Sequence, residues 1–522
     1  MDYDVVIAGA RPVGLLLACE LRLAGVSVLL LEKLADPNLP IKAGAIGGRA
    51  LNIPTIEVLY RRGLLPALEK AALWWAGAST DRKGLEAAVR GAAPPSELEI
   101  PSNRPEIPRR FVGHFGMMLD ANFVDYSEPE FADRGPAAAA GTISMQSLEA
   151  LLSERAAELQ VEIRLGTSLT DFSADADSVM VHAGGTTVRS GWLVGCDGGR
   201  STVRKLAGFE FPGTDPQISA YSAMVEIADP HKLAPGWKRT SKGTYVNGPM
   251  PGRILIMEFD GPPEDRDAPI TLEELQTSLR KVSGTDVTLD AVYAATRWTD
   301  NARQASTYRV GRVLLAGDAA HVLAPIGGQG LNLGIGDAIN LGWKLGGTVN
   351  GWAPEMLLDT YTLERHPIGA WALQWTRALV ALMGPKRRDL ALTSVVADVI
   401  GDRGGATSLA KRISGVWQRY DLPGDHPLVG RSAPDLDFED GRRLGEYCRE
   451  GRALLFNFIG DARISALGAG RRDRLNVIVT RLKEHSDLTA LFVRPDGFVA
   501  WAANERLDLD DAASALSTWL GE

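Results

Sequence analysis

Cysteine is scarce in this chain, and long apolar runs are absent. Only three cysteines occur among 522 residues, at the widely separated positions Cys19, Cys196 and Cys448. This spacing excludes a disulfide framework and a zinc knuckle, and it is typical of a protein from a reducing compartment. No apolar run reaches the ~18 residues that a membrane span requires. No metal site and no membrane segment are therefore predicted.

Positive charge is also limited. The formal net charge is -9, and no block of lysine and arginine is present that would suit a nucleic-acid backbone. The chain opens with Met1-Asp2-Tyr3-Asp4 and runs into a β-type segment without the pattern of an export signal. These features predict a cytoplasmic protein that binds neither nucleic acid nor membranes. Its 522 residues predict two or three domains.

A dinucleotide-binding pattern occupies the N-terminal segment. Val5–Ala8 is predicted to be a buried parallel strand, and a helical pattern from Leu15 to Ala24 leads to a second strand, Val28–Leu31. Gly9 permits the tight turn after the first strand, and Gly14 allows the helix to pack closely on that strand. The spacing predicts a βαβ unit that presents a helix N-terminus to a pyrophosphate.

Several positions decide how this unit would hold a dinucleotide. Glu32 lies 18 positions after Gly14, where a carboxylate reaches an adenosine ribose hydroxyl. Arg11 replaces the middle glycine of the G-x-G-x-x-G pattern, and its side chain either points outward or contacts phosphate or ribose. Pro12 and Val13 open the helix, where the missing N–H of proline costs little. The pattern indicates a dinucleotide site, and the later motifs decide which dinucleotide.

Two later motifs have the same strand-to-helix character. Residues 193–204 read LVGCDGGRSTVR, and residues 312–332 read RVLLAGDAAHVLAPIGGQGLN. In the second motif a strand ends at Asp318, and a loop rich in proline and glycine follows. A helix is then predicted from about Leu331 to Leu345, so a second helix N-terminus faces a negative group.

Together, and in this order, the three motifs resemble those of the class A flavoprotein monooxygenases, the family of p-hydroxybenzoate and phenol hydroxylases. The resemblance runs from residue 4 to about residue 367. Residues 42–69 and the tail from 426 to 497 are most similar to bacterial enzymes that tailor aromatic polyketides. That group includes anthracycline, angucycline and tetracycline hydroxylases and the related Baeyer–Villiger enzyme of mithramycin assembly.

The resemblance implies an FAD-dependent monooxygenase that uses O2 and a transient NADPH or NADH. It would hydroxylate a polycyclic aromatic, polyketide-type substrate through a flavin C4a-hydroperoxide. Because the cofactor carries this chemistry, no general base is assigned, and His321 is expected to be structural. Two alternatives stay open: Baeyer–Villiger oxygen insertion into a polycyclic ketone, and a flavin-binding protein without turnover. A monomer or a homodimer is expected.

The resemblance also implies a set of site residues. Arg49 would lie beside the flavin and stabilise negative charge there, unless it is a surface arginine on a loop. Gln146 matches a position that contacts the linker of the cofactor, unless it is a solvated residue of a first helical turn. The other implied cofactor contacts are Gly9, Arg11, Pro12, Val13, Gly14, Glu32, Lys33, Asp197, Asp318, Pro325, Gly330, Leu331 and Asn332. The candidates for a substrate pocket, each also explained by core packing, are Trp75, Phe115, Met257, Phe259 and Trp298.

The expected fold class is α/β. A Rossmann-like FAD-binding domain would carry an inserted mixed β-sheet substrate domain and be followed by a thioredoxin-like C-terminal domain. The expected segments are 1–73, 104–205 and 291–380 for FAD binding, 74–103 and 206–290 for substrate binding, 381–427 for a helical segment and linker, and 428–522 for the C-terminal domain. Because Cys448 stands alone in that last domain without a CxxC pair, thiol redox chemistry is excluded and a stabilising or interaction role is expected.

Overall fold

The computed structural model describes residues 1–44, 46–71, 113–138, 141–248, 252–484, 486–504 and 507–522. Its strands in chain order are β1 Tyr3–Ala8, β2 Val28–Leu31, β3 Gly48–Leu51, β4 Gly141–Ser144, β5 Glu162–Arg164, β6 Leu169–Ala174, β7 Val179–Ala183, β8 Thr186–Gly195, β9 Gly213–Thr214, β10 Ser219–Ile227, β11 Gly236–Thr240, β12 Gly243–Asn247, β13 Arg253–Glu258, β14 Leu289–Trp298, β15 Ala302–Gln304, β16 Arg309–Val310, β17 Val313–Leu315, β18 His321–Val322, β19 Ala453–Asn457, β20 Leu475–Val479, β21 Ala490–Val493 and β22 Val499–Ala503. Its α-helices are α1 Pro12–Leu23, α2 Ile53–Arg61, α3 Leu65–Ala71, α4 Met145–Glu158, α5 Thr202–Leu206, α6 Leu272–Ser283, α7 Gln329–Val349, α8 Thr360–Met383, α9 Arg387–Ile400, α10 Arg403–Ser414, α11 Leu444–Tyr447, α12 Ala462–Ala466 and α13 Leu509–Leu520.

The first sheet is built around the βαβ unit that the sequence predicts. Its order is β16-β17-β8-β1-β2-β5, and β7 and β6 extend it antiparallel beside β8. Strands β1, β8 and β17 are parallel neighbours. The three motifs follow these three strands in the sequence. Because the carboxyl ends of parallel strands meet at one edge of a sheet, the three motifs lie together there.

Helices α1 and α7 pack against each other beside this edge. A Cβ on Gly342 would lie 2.4 Å from the Cβ of Glu20, and a Cβ on Gly334 would lie 2.6 Å from a methyl group of Val13. The two helices can approach this closely only because α7 has glycine at these positions. Helix α7 is longer at both ends than the sequence predicts, and its N-terminus reaches the motif edge.

The middle sheet has the order β11-β12-β13-β10-β14, and every pairing in it is antiparallel rather than mixed. One face packs on α6, where Ile254 and Ile256 belong to the same core as Leu275. The boundary expected at residue 290 is wrong, because β14 continues its hydrogen bonding with β10 as far as Trp298. The segment 74–103, also expected in this domain, lies outside the described residues.

The C-terminal sheet has the order β20-β19-β21-β22, with β19 and β20 parallel and the other pairs antiparallel. This is the thioredoxin-like arrangement that the sequence predicts. Its core is continuous with the FAD-binding part, because Leu333 and Trp343 of α7 belong to the same apolar cluster as Phe456. Cys448 is free and buried, and burial raises the pKa of its thiol.

Buried charges also join the C-terminal domain to α7 and α8. Arg494 donates two hydrogen bonds to Glu364, of 2.9 and 2.7 Å, and the Lys344 ammonium lies 2.9 Å from the same carboxylate. Asp496 pairs with Arg494 and accepts a hydrogen bond of 3.2 Å from Asn340. All five side chains are buried. Loss of one partner would leave a buried charge uncompensated, so this network fixes the C-terminal domain to α7.

Candidate active site

Two glycines form a cradle at the motif edge of the first sheet. Gly9 adopts a φ of +108°, and a Cβ there would lie 2.3 Å from the carbonyl oxygen of Cys196. A Cβ on Gly14 would lie 1.9 Å from the carbonyl oxygen of Gly9. Only glycine fits at either position. The first turn of α1, which begins at Pro12, therefore presents its free N–H groups to an anion without obstruction.

Replacing Gly14 with valine is expected to weaken FAD binding by about tenfold to a hundredfold. Overpacking of this kind costs about 1–3 kcal/mol, and here it displaces the backbone of the cradle itself. Gly141→Val is the matched control, because a Cβ there meets nothing within 4 Å and, like Gly14, the residue does not adopt a positive φ. FAD titration of the apoprotein, beside thermal unfolding, separates binding from stability. Equal FAD affinity in the two variants would contradict the cradle.

Glu32 closes the cradle at the end of β2. Its buried carboxylate accepts hydrogen bonds of 3.0 Å from the backbone N–H groups of Ala10 and Leu34. Each oxygen keeps a lone pair for a ribose hydroxyl. Arg11 and Lys33 are exposed beside it, and the Arg11 guanidinium donates no hydrogen bond to a described residue. Both readings of Arg11 are compatible with this placement, so a phosphate contact stays a prediction.

Helix α4 borders the same end of the site. Gln146, in its first turn, is half-buried and donates a hydrogen bond of 3.1 Å to Asn38. One turn further, Glu149 pairs with Lys42 at 2.6 Å, and both side chains are buried. Burial raises the pKa of Glu149, and the charge of Glu32 acts on it as well. Sequence reasoning missed this buried ion pair, because no short motif marks it.

Two carboxylates keep acceptors free at the motif edge. The Asp318 carboxylate makes no hydrogen bond with a described residue, and it lies 3.9 Å from where a Cβ on Gly330 would stand. The side chain of Asp318 is exposed to a cleft. The protein around the carboxylate nevertheless removes part of its hydration, and this desolvation raises its pKa. Asp197 accepts the N–H groups of Thr202 and Val203 at 2.6 and 3.1 Å through Oδ2, whereas Oδ1 is buried without a partner. Free acceptors here fit a ligand that carries hydroxyl groups.

The first turn of α7 supplies free backbone N–H groups opposite Asp318. Gly328 precedes the helix with a φ of +67°, and residues 329–331, which include Gly330 and Leu331, form the first turn. The Asn332 side chain donates to the carbonyl oxygen of Ala50 at 3.0 Å and accepts the N–H of Asn52 at 2.9 Å. The Asn332 amide is thus occupied in fixing α7 to β3. The helix can offer its backbone, rather than this side chain, to a ligand.

A buried carboxylate holds the loop between β17 and α7 in shape. Asp337 accepts the N–H of Gly317 at 3.0 Å and lies 2.7 Å from Nε2 of His321 and 2.8 Å from Nε of Arg365. Burial opposes ionisation of Asp337, but His321 and Arg365 outweigh it and lower the pKa. His321 is completely buried in this arrangement, away from the cleft. Sequence reasoning assigned no role to Asp337 or Arg365, which lie outside the motif of residues 312–332.

Two arginines, one on β3 and one on β13 of the middle sheet, lie within electrostatic reach of each other. Arg49, on β3, is half-buried and donates a hydrogen bond of 2.9 Å to the carbonyl oxygen of Gly48. Burial, and then the charge of Arg253 on β13, lower the pKa of Arg49, while Asp318 raises it. Arg253 makes no ion pair or side-chain hydrogen bond with a described residue. The site is therefore more cationic than the sequence predicts, since Arg253 was missed.

A cleft of about 930 Å³ separates the motif edge from the middle sheet. Pro325 and Asp318 line one side, and Trp298 and Thr296 of β14 line the other. This volume lies within the range of small-molecule sites. Within the described ranges, no cluster of His, Cys, Asp and Glu could hold a metal ion, and no helix is both long and apolar enough to cross a membrane.

Of the predicted pocket residues, Trp298 lines this cleft, and it belongs to an aromatic and apolar cluster. Four predicted pocket residues belong to one apolar cluster: Phe115, Met257, Phe259 and Trp298. The fifth, Trp75, lies outside the described residues. Phe115 packs on Trp375 of α8 with ring centroids 4.2 Å apart, and Trp371 stacks on Trp375 at 5.1 Å. Sequence reasoning missed both tryptophans, although their spacing of four residues places them on one helix face.

His114, beside Phe115, is expected to make stability depend on pH. Burial lowers its pKa from 6.5 to about 4, and its ring packs on Trp237 at 4.8 Å. Below pH 6.5 the unfolded chain therefore takes up a proton that the folded protein refuses. The contribution of His114 to the free energy of unfolding should therefore be constant above pH 6.5 and fall by about 3 kcal/mol towards pH 4. Urea unfolding at several pH values, with His114→Phe as comparison, tests this. If the free energy of unfolding of His114→Phe fell as steeply between pH 6.5 and pH 4 as that of the wild type, this role of His114 would be contradicted.

The residues at the motif edge fit FAD. The glycine cradle suits a pyrophosphate, Glu32 suits the ribose, and the unpaired acceptors of Asp318 and Asp197 suit the hydroxyl groups of a ribityl chain. The first turn of α7 faces the same space with free N–H groups, where negative charge is favoured. No side chain among these residues blocks the position of the pyrophosphate.

Comparison with known proteins agrees with this fit. A family model described as an FAD binding domain matches residues 2–376, and one described as the C-terminal part of an aromatic-ring hydroxylase matches residues 426–522. A monooxygenase of Claviceps purpurea is 39% identical over 99% of this chain and 97% of its own length. The 12-dehydrotetracycline 5-monooxygenase/anhydrotetracycline 6-monooxygenase of Streptomyces rimosus is 38% identical over 100% and 99%. The solved structure of OxyS anhydrotetracycline hydroxylase from Streptomyces rimosus is 36% identical, with a TM-score of 0.84 over all of both chains.

Proposed function

Because the chain belongs to the FAD-dependent monooxygenases of the aromatic-ring hydroxylase type, we propose that it hydroxylates a polycyclic aromatic substrate of the polyketide class. The observation that carries this proposal is the cleft of about 930 Å³ that Asp318 and Pro325 of the motif edge line together with Trp298, a member of an aromatic and apolar cluster. Full-length similarity to a tetracycline monooxygenase supports the same substrate class. NADPH or NADH is the proposed reductant. When bound, FAD supplies the activation of O2 with electrons from the reductant, so that one oxygen atom of O2 goes to the substrate and the other to water.

The chain's own residues hold the cofactor at the motif edge. Gly9 and Gly14 leave room for the pyrophosphate, and Glu32 receives the adenosine ribose. Asp318 and Asp197 would accept hydrogen bonds from hydroxyl groups of the cofactor. The N–H groups of α7 would stabilise negative charge on the bound cofactor, because a helix N-terminus favours such charge without reorganisation.

The middle sheet and α8 position the substrate and exclude water. On the β14 side of the cleft, Trp298 and Ala295 offer apolar surface to a flat ring system, and Met257 packs in the same apolar cluster as Trp298. Exclusion of water protects the oxygen transfer from side reactions. Arg49 contributes a half-buried positive charge between cofactor and substrate, where it stabilises negative charge during turnover.

The test is to incubate the FAD-loaded protein with NADPH or NADH, O2 and a panel of polycyclic phenols and ketones. The expected result is substrate-dependent oxidation of the reductant and a product that gains one oxygen as a carbon-bound hydroxyl, identified by mass and NMR. A lactone product would instead indicate Baeyer–Villiger oxygen insertion at the same site. Retained FAD without oxidation of reductant in the presence of any compound would contradict oxygenation and favour a binding protein. The Gly14→Val variant is the control for cofactor dependence.

A further inference from the structure

Trp375 carries a polar group that the folded chain leaves unused. Its side chain is only 7% exposed, and its indole N–H has no acceptor among the described residues. Two other indoles in the protein are paired: Trp298 donates to Ser222 at 3.1 Å, and Trp501 donates to Asp511 at 2.8 Å. A buried donor without an acceptor costs free energy, and a ligand that supplies the acceptor recovers it.

The position of this N–H next to the cofactor loop indicates what could use it. A Cβ on Gly327, in the loop between Pro325 and α7, would lie 3.8 Å from Nε1 of Trp375. Pro325 itself lines the cleft. Phe115 and Trp371 pack on the ring of Trp375, so the indole is held in a fixed orientation with aromatic neighbours.

Two other indoles with unpaired N–H groups lack this setting. Trp343 lies under the guanidinium of Arg494, 5.2 Å from the ring centroid, within the connection between domains. Trp417 packs on Trp371 with ring centroids 4.3 Å apart, and it does not come within 4 Å of a Cβ on Gly327. An unpaired indole N–H alone therefore does not indicate a ligand. At Trp375 the unpaired donor coincides with the cofactor loop and the aromatic and apolar cluster.

We propose that the indole N–H of Trp375 donates a hydrogen bond to an oxygen on the edge of the substrate, a phenolic hydroxyl or a ring carbonyl. This inference rests on the proposed function and adds a residue that determines specificity. The apolar surface of the cleft binds the faces of any flat ring system with little discrimination. A buried donor, in contrast, disfavours an analogue that lacks the matching oxygen, because the donor is then left unpaired. Trp375 would thus select oxygenated polycycles over hydrocarbon ones.

The test compares two variants with the same chemical change in the same aromatic stack. Trp375→Phe removes the proposed donor, and Trp371→Phe is the matched control, because the Trp371 N–H is not among the buried unpaired groups. The ligands are a polycyclic phenol-quinone and its analogue lacking one edge oxygen, and Kd is measured on the FAD-loaded protein from the flavin absorbance without reductant. The wild type should bind the oxygenated ligand about tenfold or more tightly than the analogue. Trp375→Phe should lose this ratio, and Trp371→Phe should keep it.

The outcomes separate this inference from the proposed function. Replacement of Trp375 by benzothienylalanine, which keeps the ring shape and lacks only the N–H, repeats the test if Trp375→Phe loses FAD or stability. A ratio that is unchanged in a folded Trp375 variant, or lost equally in Trp371→Phe, overturns the role of Trp375. If the Trp375 variant loses the difference in Kd between the two ligands, but the wild type forms no product under turnover conditions, the hydrogen bond is supported and oxygenation is contradicted. Failure of every ligand to bind contradicts both.

Discussion

Asp337→Ala is expected to lower the free energy of unfolding by about 3–5 kcal/mol and to abolish tight FAD binding. Arg365 is completely buried, and the change removes the carboxylate that lies 2.8 Å from its Nε atom. The N–H of Gly317 and Nε2 of His321 lose their partner at the same time. Because Gly317 precedes Asp318 in the chain, the loop that should receive the cofactor loses its fixed shape.

Asp359→Ala is the matched control for this substitution. Asp359 also pairs with an arginine, Arg309, but both side chains are substantially exposed, so the effect should stay within about 1 kcal/mol. Asp337→Asn keeps the shape and one acceptor, and its stability should lie between those of wild type and Asp337→Ala. Urea unfolding measures stability, and fluorescence titration with FAD measures binding. Equal stability of Asp337→Ala and Asp359→Ala would show that the buried ion pair contributes nothing.

Arg49→Ala is expected to reduce kcat by about 10²–10³-fold and to lower the amount of product formed per reductant consumed. Loss of one preorganised donor to a developing negative charge has an effect of this size. Burial, and then the charge of Arg253, lower the pKa of the half-buried Arg49 while Asp318 raises it, so Arg49 lies within electrostatic reach of Asp318 at the motif edge. The quantities to measure are the rate of product formation, the consumption of NADPH and the FAD content of the purified variant.

Arg49→Lys distinguishes charge from shape. The lysine keeps the positive charge but lacks the planar donor fork, so partial activity is expected if charge dominates. FAD content within about twofold of the wild type assigns the loss to turnover rather than to an empty site. Normal rate and normal coupling in Arg49→Ala would show that Arg49 is only a loop residue anchored to Gly48.

Local sequence patterns predict the N-terminal half of the fold closely. The strand and helix bounds of the βαβ unit agree with expectation to within a few residues, since buried parallel strands are continuous apolar runs. Gly9 and Gly14 are required by close backbone approach, which a spacing of glycines encodes directly. Ser201 caps α5 through its hydroxyl, which accepts a hydrogen bond of 2.9 Å from the N–H of Arg204, and serine is a residue type favoured at this position.

The rest of the site depends on contacts between distant segments. Asp337 and Arg365 lie on two helices, and nothing in either helix alone separates a buried charge from a solvated one. Arg253 belongs to a strand whose inward face is known only once the sheet is assembled. The boundary at 290 was placed too early because β14 pairs with β10 from far away in the sequence. The helical sequence around Trp375 predicts core packing as well as it predicts contact with a ligand.

The buried cluster of Lys344, Glu364, Arg494 and Asp496 limits how this protein can exchange parts with its relatives. A chimera that joined the FAD-binding part of this chain to another C-terminal domain would bring in foreign partners for two buried charges. Such a graft would function only if all four positions were inherited together. The C-terminal domain is therefore not an interchangeable module, despite its separate fold. Its sequence is constrained by α7, the helix whose N-terminus lies at the active site.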